Sequence, residues 1–381
     1  MCGIAGFAGD VPDQEAARRQ VAGMIATLTH RGPDGCGTHV GAGVALAHAR
    51  LAIIDPEGGQ QPMHAADDRL SLVFNGEIFN YLELRRDLVA QGHTFRTQSD
   101  TEVILHLYQR YGDAFVQHLN GQFAIALWDA DNRRLVLARD RAGIRPLFLT
   151  RASGRWWFAS EVKALLPVLP SRPVLDPVAL AEAFTYWSTP EPGTVYSGIE
   201  VLPAGCLSVI EANGQRRTTR YWDWTFATPE QVRNRPWTDV ASAARELRDL
   251  LSDAVRLQLR ADVPVGAYLS GGLDSSGIVA LIRHCTQTPL ETFSVAFDDA
   301  EFDEAPFQQA MARHLGTRHH TLNCTARAIG EAFPRFIAHA ESPVLRTAGV
   351  PLMLLAGDVR AHGFKVVLTG EGADEVFGGY D

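Results

Sequence analysis

The sequence predicts an α+β domain followed by an α/β domain with a parallel sheet. In the first half, short β-rich runs separated by turn residues indicate strands, at 122–129, 134–140, 145–150 and 155–160. In the second half, strand-like and helix-like runs alternate, which is typical of a parallel sheet covered by helices. The length of 381 residues is enough for two or three average domains.

The composition limits the classes of partner. With 46% hydrophobic and 21% charged residues, the chain can bury an ordinary globular core. A net charge of −9 without any basic run argues against a nucleic-acid partner. MCGIAGFAGD lacks the features of a signal peptide, and no apolar stretch could cross a bilayer, so we expect a cytoplasmic enzyme without a membrane partner. Five scattered cysteines without CxxC spacing indicate neither a disulfide framework nor a zinc site.

Cys2 is the first candidate catalytic residue. It follows the initiator methionine, and so small a side chain normally allows that methionine to be removed. The thiol would then lie beside its own α-amino group, whose ordinary pKa of roughly 7.7 to 8.0 suits a base at neutral pH. Nucleophile and base would thus come from one residue. A buried structural cysteine is the alternative interpretation.

Three stretches favour the catalytic interpretation of Cys2. HRGPDG at 30–35 is a turn cluster, RLAIID at 50–55 is predicted as a strand that opens with a cation, and FNGEIFN at 74–80 as a strand running into an Asn-Gly turn. Together with Cys2, these stretches resemble the class II glutamine amidotransferases, N-terminal nucleophile hydrolases that release ammonia from glutamine. The resemblance implies a four-layer αββα sandwich over residues 2–203.

The same resemblance implies a role for each matching position. Cys2 would attack the glutamine side-chain amide, and the Asn75 amide with the Gly76 N–H would form the oxyanion hole. Arg50 would hold the α-carboxylate and Asp100 the α-ammonium. The other glutamine-binding residues that it implies are Leu51, Ala52, Ile53, Ile54 and Glu77, with Arg31 and Gly32 in a loop that closes over the pocket.

Taken singly, these residues have simpler interpretations. Arg50 could form a surface ion pair, Asn75-Gly76 could be a hairpin turn, and Asp100 could be a first-turn carboxylate favoured by the helix dipole. Helices are predicted for 15–29, 80–91 and 100–111. Around the last helix, the predicted signals are a capping box of Ser99 with Glu102, and Gly112 as the stop.

Residues 204–239 are predicted as an ordered connector between the domains. Residues 206–210 have a strand-like pattern, a hairpin is predicted at Asn213-Gly214, and no low-complexity tract appears. The second domain, 240–381, begins with an amphipathic helix predicted from Thr238 to Arg260.

The stretch VPVGAYLSGGLDSSG at 263–277 predicts an anion-binding site. An apolar strand at 265–269 enters a Ser-Gly-Gly turn and then a helix, whose N-terminal N–H groups and dipole attract phosphate. The Walker ending GK[ST] and the Rossmann GxGxxG are both missing. SGGLDSS instead resembles the pyrophosphate-binding loop of the ATP pyrophosphatases. A plain glycine turn with a capping side chain is the alternative.

A second signature, LTGEGADEVFGGY at 368–380, follows another predicted strand and resembles the asparagine synthetases. By this resemblance, Glu371 helps to form the acyl-adenylate, and Asp274 and Asp374 are Mg²⁺ ligands. Arg346 and Thr347 would bind aspartate. The ATP-binding residues that it implies are Leu269, Ser270, Gly271, Gly272, Asp274, Ser275, Val295, Thr369 and Gly370. Since both loops follow strands of one parallel sheet, we expect them to face one crevice.

Over its whole length, the chain resembles the glutamine-hydrolysing asparagine synthetases. The resemblance implies a ligase that uses ATP and Mg²⁺ to make asparagine from aspartate, through β-aspartyl-AMP and ammonia released from glutamine. A homodimer is left open. In the family, a further helical segment contributes a lysine to the pyrophosphate site, for which only Lys365 is a candidate here, so we expect the chain to be C-terminally incomplete. Two alternatives remain: another carboxylate acceptor, or a protein that acts only as a glutaminase or an assembly partner.

Overall fold

The computed structural model of the chain describes residues 1–235, 237, 239–299 and 301–379. Two units can be distinguished by their internal contacts. The first consists of Met1–Trp224 with Glu341–Leu345, and the second of Thr225–Ala340 with Arg346–Asp381. Thr238, where a helix was predicted to begin, and Tyr380 and Asp381 of the predicted second domain lie outside the described residues.

The first unit contains two six-stranded antiparallel sheets. One has the strand order β10-β8-β9-β1-β3-β2, and the other has the order β12-β11-β7-β6-β5-β4. In chain order the strands are β1 (Gly3–Ala8), β2 (Gly35–Gly41), β3 (Val44–Arg50), β4 (Met63–His64), β5 (Leu70–Ile78), β6 (Gly121–Asp129), β7 (Arg134–Arg139), β8 (Phe148–Ala152), β9 (Arg155–Ala159), β10 (Ile199–Val201), β11 (Cys206–Ile210) and β12 (Arg216–Arg220).

Helices cover the outer faces of both sheets. They are α1 (Gln14–Ala26) on the first sheet, and α2 (Tyr81–Ala90) and α3 (Asp100–Tyr111) on the second. A further helix of this unit is α4 (Pro177–Tyr186). One core lies between α1 and the first sheet, one between the two sheets, and one between the second sheet and the helices α2 and α3. Three cores between four layers confirm the predicted αββα sandwich.

The alternation of side chains along the strands produces these layers. On β3, Val44 and Leu46 face the core between the sheets, whereas Ala45, Ala47 and Ala49 face α1. Both faces of β3 are buried, so the strand is almost continuously apolar. The small alanines leave room for α1 to pack closely on the sheet.

Two predicted strands near the candidate site differ from the structure. β3 ends at Arg50, and 51–55 is a loop rather than the predicted strand, because carbonyls of this loop fold back onto the Arg50 guanidinium. β5 runs straight through Asn75-Gly76, so the predicted turn there is wrong. A Cβ on Gly76 would lie 1.9 Å from the Gln122 carbonyl oxygen, and glycine therefore serves close strand approach rather than a turn.

The capping box predicted for α3 is also wrong. Ser99 is the N-cap, but its hydroxyl accepts from the Thr101 N–H, and its own N–H donates to Thr97 Oγ1. Glu102 does not reach back to Ser99, because its carboxylate accepts from the N–H groups of Arg96 and Thr97. At the other end, Gly112 caps α3 as predicted, with a φ of 53°.

The predicted connector begins inside the first unit. Its strands β11 and β12 form the predicted hairpin and extend the second sheet beyond β7. The first unit therefore reaches Trp224 rather than residue 203, and only the part from Thr225 onwards belongs to the second unit.

The second unit is built on a four-stranded parallel sheet with the order β15-β14-β13-β16. One core packs α6, α7 and α8 against it, and another packs α10 against the opposite face, which confirms the predicted α/β fold. The strands are β13 (Val265–Tyr268), β14 (Glu291–Phe297), β15 (Arg318–Cys324) and β16 (Val366–Leu368). The helices are α5 (Pro229–Arg233), α6 (Val240–Gln258), α7 (Leu273–Cys285), α8 (Ala305–Leu315), α9 (Ala326–Ala340), α10 (Gly349–Ala361) and α11 (Ala373–Phe377). Among the helices of the described ranges, none is long and apolar enough to cross a membrane.

Candidate active sites

The Cys2 thiol lies at the beginning of β1, beside the end of β3. Its sulfur accepts a hydrogen bond from the Leu51 N–H at 3.3 Å and lies 3.6 Å from the Leu51 carbonyl oxygen. Burial raises the pKa of this thiol, and among the charges that act on it are Asp100 and Arg50. At neutral pH the thiol is therefore protonated, and a nucleophilic role would need a neighbouring base.

The N-terminal amine in this structure is that of Met1, which precedes Cys2. Burial lowers the pKa of the Met1 amine to about 5, and the nearby guanidinium groups of Arg31 and Arg145 lower it further. The Met1 sulfur contacts Arg145 Nη1, and it lies 4.0 Å from Arg31 Nη2. The base in the predicted arrangement is instead the Cys2 α-amine, whose nitrogen is part of a peptide bond until Met1 is removed.

Asn75 and Gly76 lie inside β5, next to Phe74. The Asn75 side chain is fully buried, yet neither amide atom has a hydrogen-bond partner within the described ranges. His48 links β3 to β5, since its Nε2 lies 3.2 Å from the Phe74 carbonyl oxygen. Burial lowers the pKa of His48 to about 3, so the imidazole is neutral and Nε2 carries the proton that the carbonyl accepts. An unpaired buried amide is costly, which favours a ligand as its partner.

Arg50 is buried at the end of β3. Its Nη1 and Nη2 donate to the carbonyl oxygens of Pro56 and Asp55, each at 2.6 Å. These bonds fix the plane of the guanidinium, and N–H groups beyond the two used here can still bind a carboxylate. Asp34, which the sequence did not single out, accepts from the Ala52 N–H at 2.8 Å and holds the same loop.

Two carboxylates with raised pKa values complete this site. Burial raises the pKa of Asp100 to about 6, although its Oδ2 accepts from the Ile78 N–H at 2.9 Å. Burial also raises the pKa of Glu77 to about 7, and the Asp100 charge adds to that shift. Both groups are held ready for a cation, because a bound ammonium would favour their charged forms.

We expect Asp100→Asn to change how stability depends on pH. The folded pKa of about 6 exceeds the ordinary value of 3.8, so the proton on Asp100 contributes stability that is complete below pH 3.8 and is lost as pH rises through 6. Two pKa units correspond to about 3 kcal/mol. Urea unfolding at several values between pH 4 and 8 should show wild type losing about that much relative to the variant. If the free energy of unfolding changes with pH in the same way for both proteins, this interpretation is contradicted.

In the second unit, the predicted anion loop follows β13 and leads into α7. Ser270 and Ser275 define its shape: their hydroxyl oxygens are 2.8 Å apart, and the Ser270 N–H donates to Ser275 Oγ at 3.1 Å. Gly271 has a φ of +88°, and a Cβ there would lie 2.8 Å from the Phe307 Cβ. The Ser276 hydroxyl is buried and makes no hydrogen bond with any described residue. Loop and helix start thus present unused donors.

The loop after β16 packs onto this helix start. A Cβ on Gly370 would lie 2.9 Å from the Ser275 nitrogen and 3.0 Å from the Asp274 Cβ. The two signature loops therefore meet at the carboxyl ends of neighbouring parallel strands, β13 and β16. Glu371 is exposed beyond Gly370, and its N–H donates to Thr369 Oγ1 at 3.4 Å.

Other predicted residues of this unit have hydrogen-bonded backbone carbonyls or lie exposed at the surface. The Leu269 carbonyl accepts from the Ser294 hydroxyl, and the Val295 carbonyl accepts from Gln308 Nε2 at 3.0 Å. Arg346 and Thr347 are exposed in the segment before α10. Their aspartate-binding role stays a prediction, as do the roles of Asp274 and Asp374 as metal ligands.

The donors present at these loops suit ATP with Mg²⁺. Backbone N–H groups and the unpartnered Ser276 hydroxyl can donate to phosphate oxygens, and the Gly370 contact leaves no space for a larger residue. Carboxylates such as Asp274 and Asp374 are the hard oxygen ligands that Mg²⁺ prefers, so the residues fit the metal.

Comparisons with known proteins match the two halves of the chain to two domain models. Residues 1–222 match the glutamine amidotransferase domain model, and residues 246–381 match the asparagine synthase model. Asparagine synthetase [glutamine-hydrolyzing] 1 of Bacillus subtilis (strain 168) is 36% identical over 387 residues, which cover 100% of this chain and 59% of that protein.

Two further relatives also match the whole of this chain over only part of their own length. A putative asparagine synthetase [glutamine-hydrolyzing] of Mycobacterium tuberculosis (strain ATCC 25618 / H37Rv) is 40% identical over 404 residues, covering 100% of this chain and 60% of its own length. Asparagine synthetase [glutamine-hydrolyzing] 3 of Arabidopsis thaliana is 36% identical over 392 residues, covering 100% and 61%. The chain thus spans about 60% of the length of these curated relatives.

Proposed function

Because the chain belongs to the family of glutamine-hydrolysing asparagine synthetases, we propose that its first unit hydrolyses glutamine at Cys2 and that its second unit uses ATP to amidate aspartate. The observation that carries the first part is the Cys2 sulfur, which lies 3.3 Å from the Leu51 N–H and is acted on by the charges of Arg50 and Asp100. A structural cysteine would not require a buried guanidinium and a buried carboxylate close enough to act on its thiol.

In the proposed hydrolysis, Cys2 acts after removal of Met1. The freed α-amino group takes the thiol proton, and the sulfur attacks the side-chain amide carbon of glutamine. The oxyanion accepts hydrogen bonds from the Asn75 amide and the Gly76 N–H. The amine returns the proton to the leaving nitrogen, so that ammonia departs and a γ-glutamyl thioester remains. Water then hydrolyses the thioester to glutamate and regenerates the thiol.

Glutamine is oriented by charges at its far end. The Arg50 guanidinium binds the α-carboxylate, and Asp100, with Glu77 nearby, binds the α-ammonium. Leu51, Ala52, Ile53 and Ile54 supply the backbone along one side of the pocket. Since Asp100 must be charged to attract the ammonium, a folded pKa of about 6 implies weaker glutamine binding below that pH.

In the second unit, the loop from Ser270 to Ser275 would hold the pyrophosphate portion of ATP. Thr369 and Gly370 would border the nucleotide, and Glu371 would assist formation of β-aspartyl-AMP, which ammonia converts to asparagine. Mg²⁺, held by Asp274 and Asp374, would neutralise phosphate charge. We place this chemistry in the cytoplasm, where amino acids and ATP are supplied.

The decisive experiment measures three products separately on the protein. Incubation with glutamine, ATP, Mg²⁺ and aspartate should yield glutamate, pyrophosphate and asparagine. Glutamate alone would show that the protein acts only as a glutaminase. Release of pyrophosphate with another carboxylic acid but not with aspartate would refute the proposed acceptor.

A further inference from the structure

A network of charged side chains lies behind the nucleophile in the first unit. Arg31 Nε donates to the carbonyl oxygen of Cys2 at 2.8 Å, and Arg31 Nη1 donates to the Glu161 carboxylate at 2.7 Å. The side chains of this ion pair are only 8% and 10% exposed. Lys163 continues the network, since its Nζ lies 2.6 Å from Glu161 and 3.5 Å from Glu341.

The geometry of Arg31 couples this network to Cys2. A guanidinium is a rigid plane, so fixing Nη1 on Glu161 also fixes the direction in which Nε points. Nε in turn holds the Cys2 carbonyl, and the orientation of that peptide group determines where the Cys2 side chain leaves the backbone. Although burial raises the pKa of Glu161, hydrogen bonds from His30, Lys163 and Arg31 lower it overall, which keeps the carboxylate charged.

Glu341 is the remote end of the network. Its carboxylate accepts from the backbone N–H groups of Val162 and Lys163, the latter at 2.7 Å. It belongs to the short segment Glu341–Leu345 of the first unit, whereas the chain on either side of this segment belongs to the second unit. Its φ of +53° is unusual for a residue with a side chain. Such a backbone conformation persists where surrounding contacts hold it.

We propose that Glu341 is a positioning residue for Cys2, acting through Lys163, Glu161 and Arg31. This inference rests on the proposed hydrolysis of glutamine. It means that a segment bounded on both sides by the chain of the second unit helps to set the geometry of the nucleophile in the first. Its neighbours along the chain include Arg346 and Thr347, the predicted acceptor ligands.

Glu341→Gln tests the proposal because it keeps the size of the side chain but removes the negative charge that attracts Lys163. We expect kcat for glutamine hydrolysis to fall about tenfold, since small displacements of a nucleophile are costly. KM should change less than about twofold, because Glu341 does not touch glutamine in this assignment. Glu341→Asp, which keeps the charge, should recover part of the loss.

The matched control is Glu331→Gln, which removes an exposed carboxylate paired with Arg327. A kcat for Glu341→Gln within about twofold of this control would overturn the proposal. If Glu341→Gln does not fold, as judged by its melting curve, Lys163→Gln breaks the same connection and is expected to lower kcat similarly. The double variant combines Glu341→Gln with Lys163→Gln. If the two reductions in kcat multiply, Lys163 does not transmit the effect of Glu341. A reduction in kcat no larger than that of the more affected single variant supports transmission through Lys163.

A second measurement separates this inference from the proposed function. The rate at which iodoacetamide alkylates Cys2, followed by mass spectrometry of the N-terminal peptide, depends on thiol geometry and needs no glutamine. We expect this rate to differ at least about threefold between Glu341→Gln and Glu331→Gln. Equal rates would overturn the positioning role. If the wild-type protein does not hydrolyse glutamine but the alkylation rates of Glu341→Gln and Glu331→Gln differ, only the proposed hydrolysis is refuted.

Discussion

Cys2→Ala is expected to abolish glutamine hydrolysis, lowering kcat/KM by at least about 10³-fold. The variant removes the atom that forms the thioester, and no other residue of the pocket can replace it. Stability should change little, because the sulfur makes only weak contacts with the Leu51 backbone at 3.3 and 3.6 Å. Glutamate release and the melting temperature, measured on the same preparation, test both statements.

Cys36→Ala is the matched control for this variant. Cys36 is an exposed free cysteine on β2, so its loss should leave both hydrolysis and stability unchanged. If Cys2→Ala retained more than about a tenth of wild-type activity, Cys2 would not be the nucleophile. A large loss in both variants would instead point to a general need for reduced thiols.

The sequence predicted the elements whose pattern is set by burial. β3 and β6 are apolar because both of their faces meet a core, and α3 carries its apolar residues at helical spacing between a serine cap and a glycine stop. The parallel sheet also followed from local pattern, since each strand is separated from the next by a helical stretch. Periodicity is a short-range signal, and these elements depend on it.

The errors arose where distant residues decide the local conformation. Arg50 ends β3 because carbonyls of Asp55 and Pro56 bind its guanidinium, which no strand pattern reports. Gly76 continues β5 because the Gln122 carbonyl approaches it across the sheet. One omission has a local cause instead. Helix α9 was not predicted because it contains Pro334, and an internal proline weakens the helical pattern.

The candidate site shows the same division. Motifs in the sequence singled out Cys2, Arg50, Asn75 and Asp100. The structure places Cys2 just before β1, Arg50 at the end of β3, Asn75 inside β5 and Asp100 at the start of α3. Asp34, His48 and Glu161 were missed because they act through tertiary hydrogen bonds to a loop, a carbonyl and a guanidinium. The motif HRGPDG contained Asp34, and the strand before Arg50 contained His48, but neither residue has a role that can be read without the fold.

Asn75→Ala should separate function from stability. Removing an oxyanion donor typically lowers kcat by about 10²- to 10³-fold, and we expect a loss in that range for glutamine hydrolysis. Because both amide atoms of Asn75 are buried without partners among the described residues, the free protein loses no hydrogen bond when they are removed. The melting temperature should therefore stay constant or rise, since an unsatisfied buried group costs about 1–3 kcal/mol.

Asn80→Ala supplies the opposite case within the same region of the chain. The Asn80 amide donates to the His118 carbonyl and accepts from the Asn120 N–H, both at 3.0 Å, so its removal breaks two hydrogen bonds at the protein surface. That variant should melt at a lower temperature while kcat for glutamate release stays near wild type. If Asn75→Ala instead melted early and kept its kcat, the Asn75 amide would be a structural group and the oxyanion would need another donor. We therefore expect Asn80→Ala to lower the melting temperature and Asn75→Ala to lower kcat. The reason is that an amide left free to bind the substrate does not contribute hydrogen bonds that stabilise the fold.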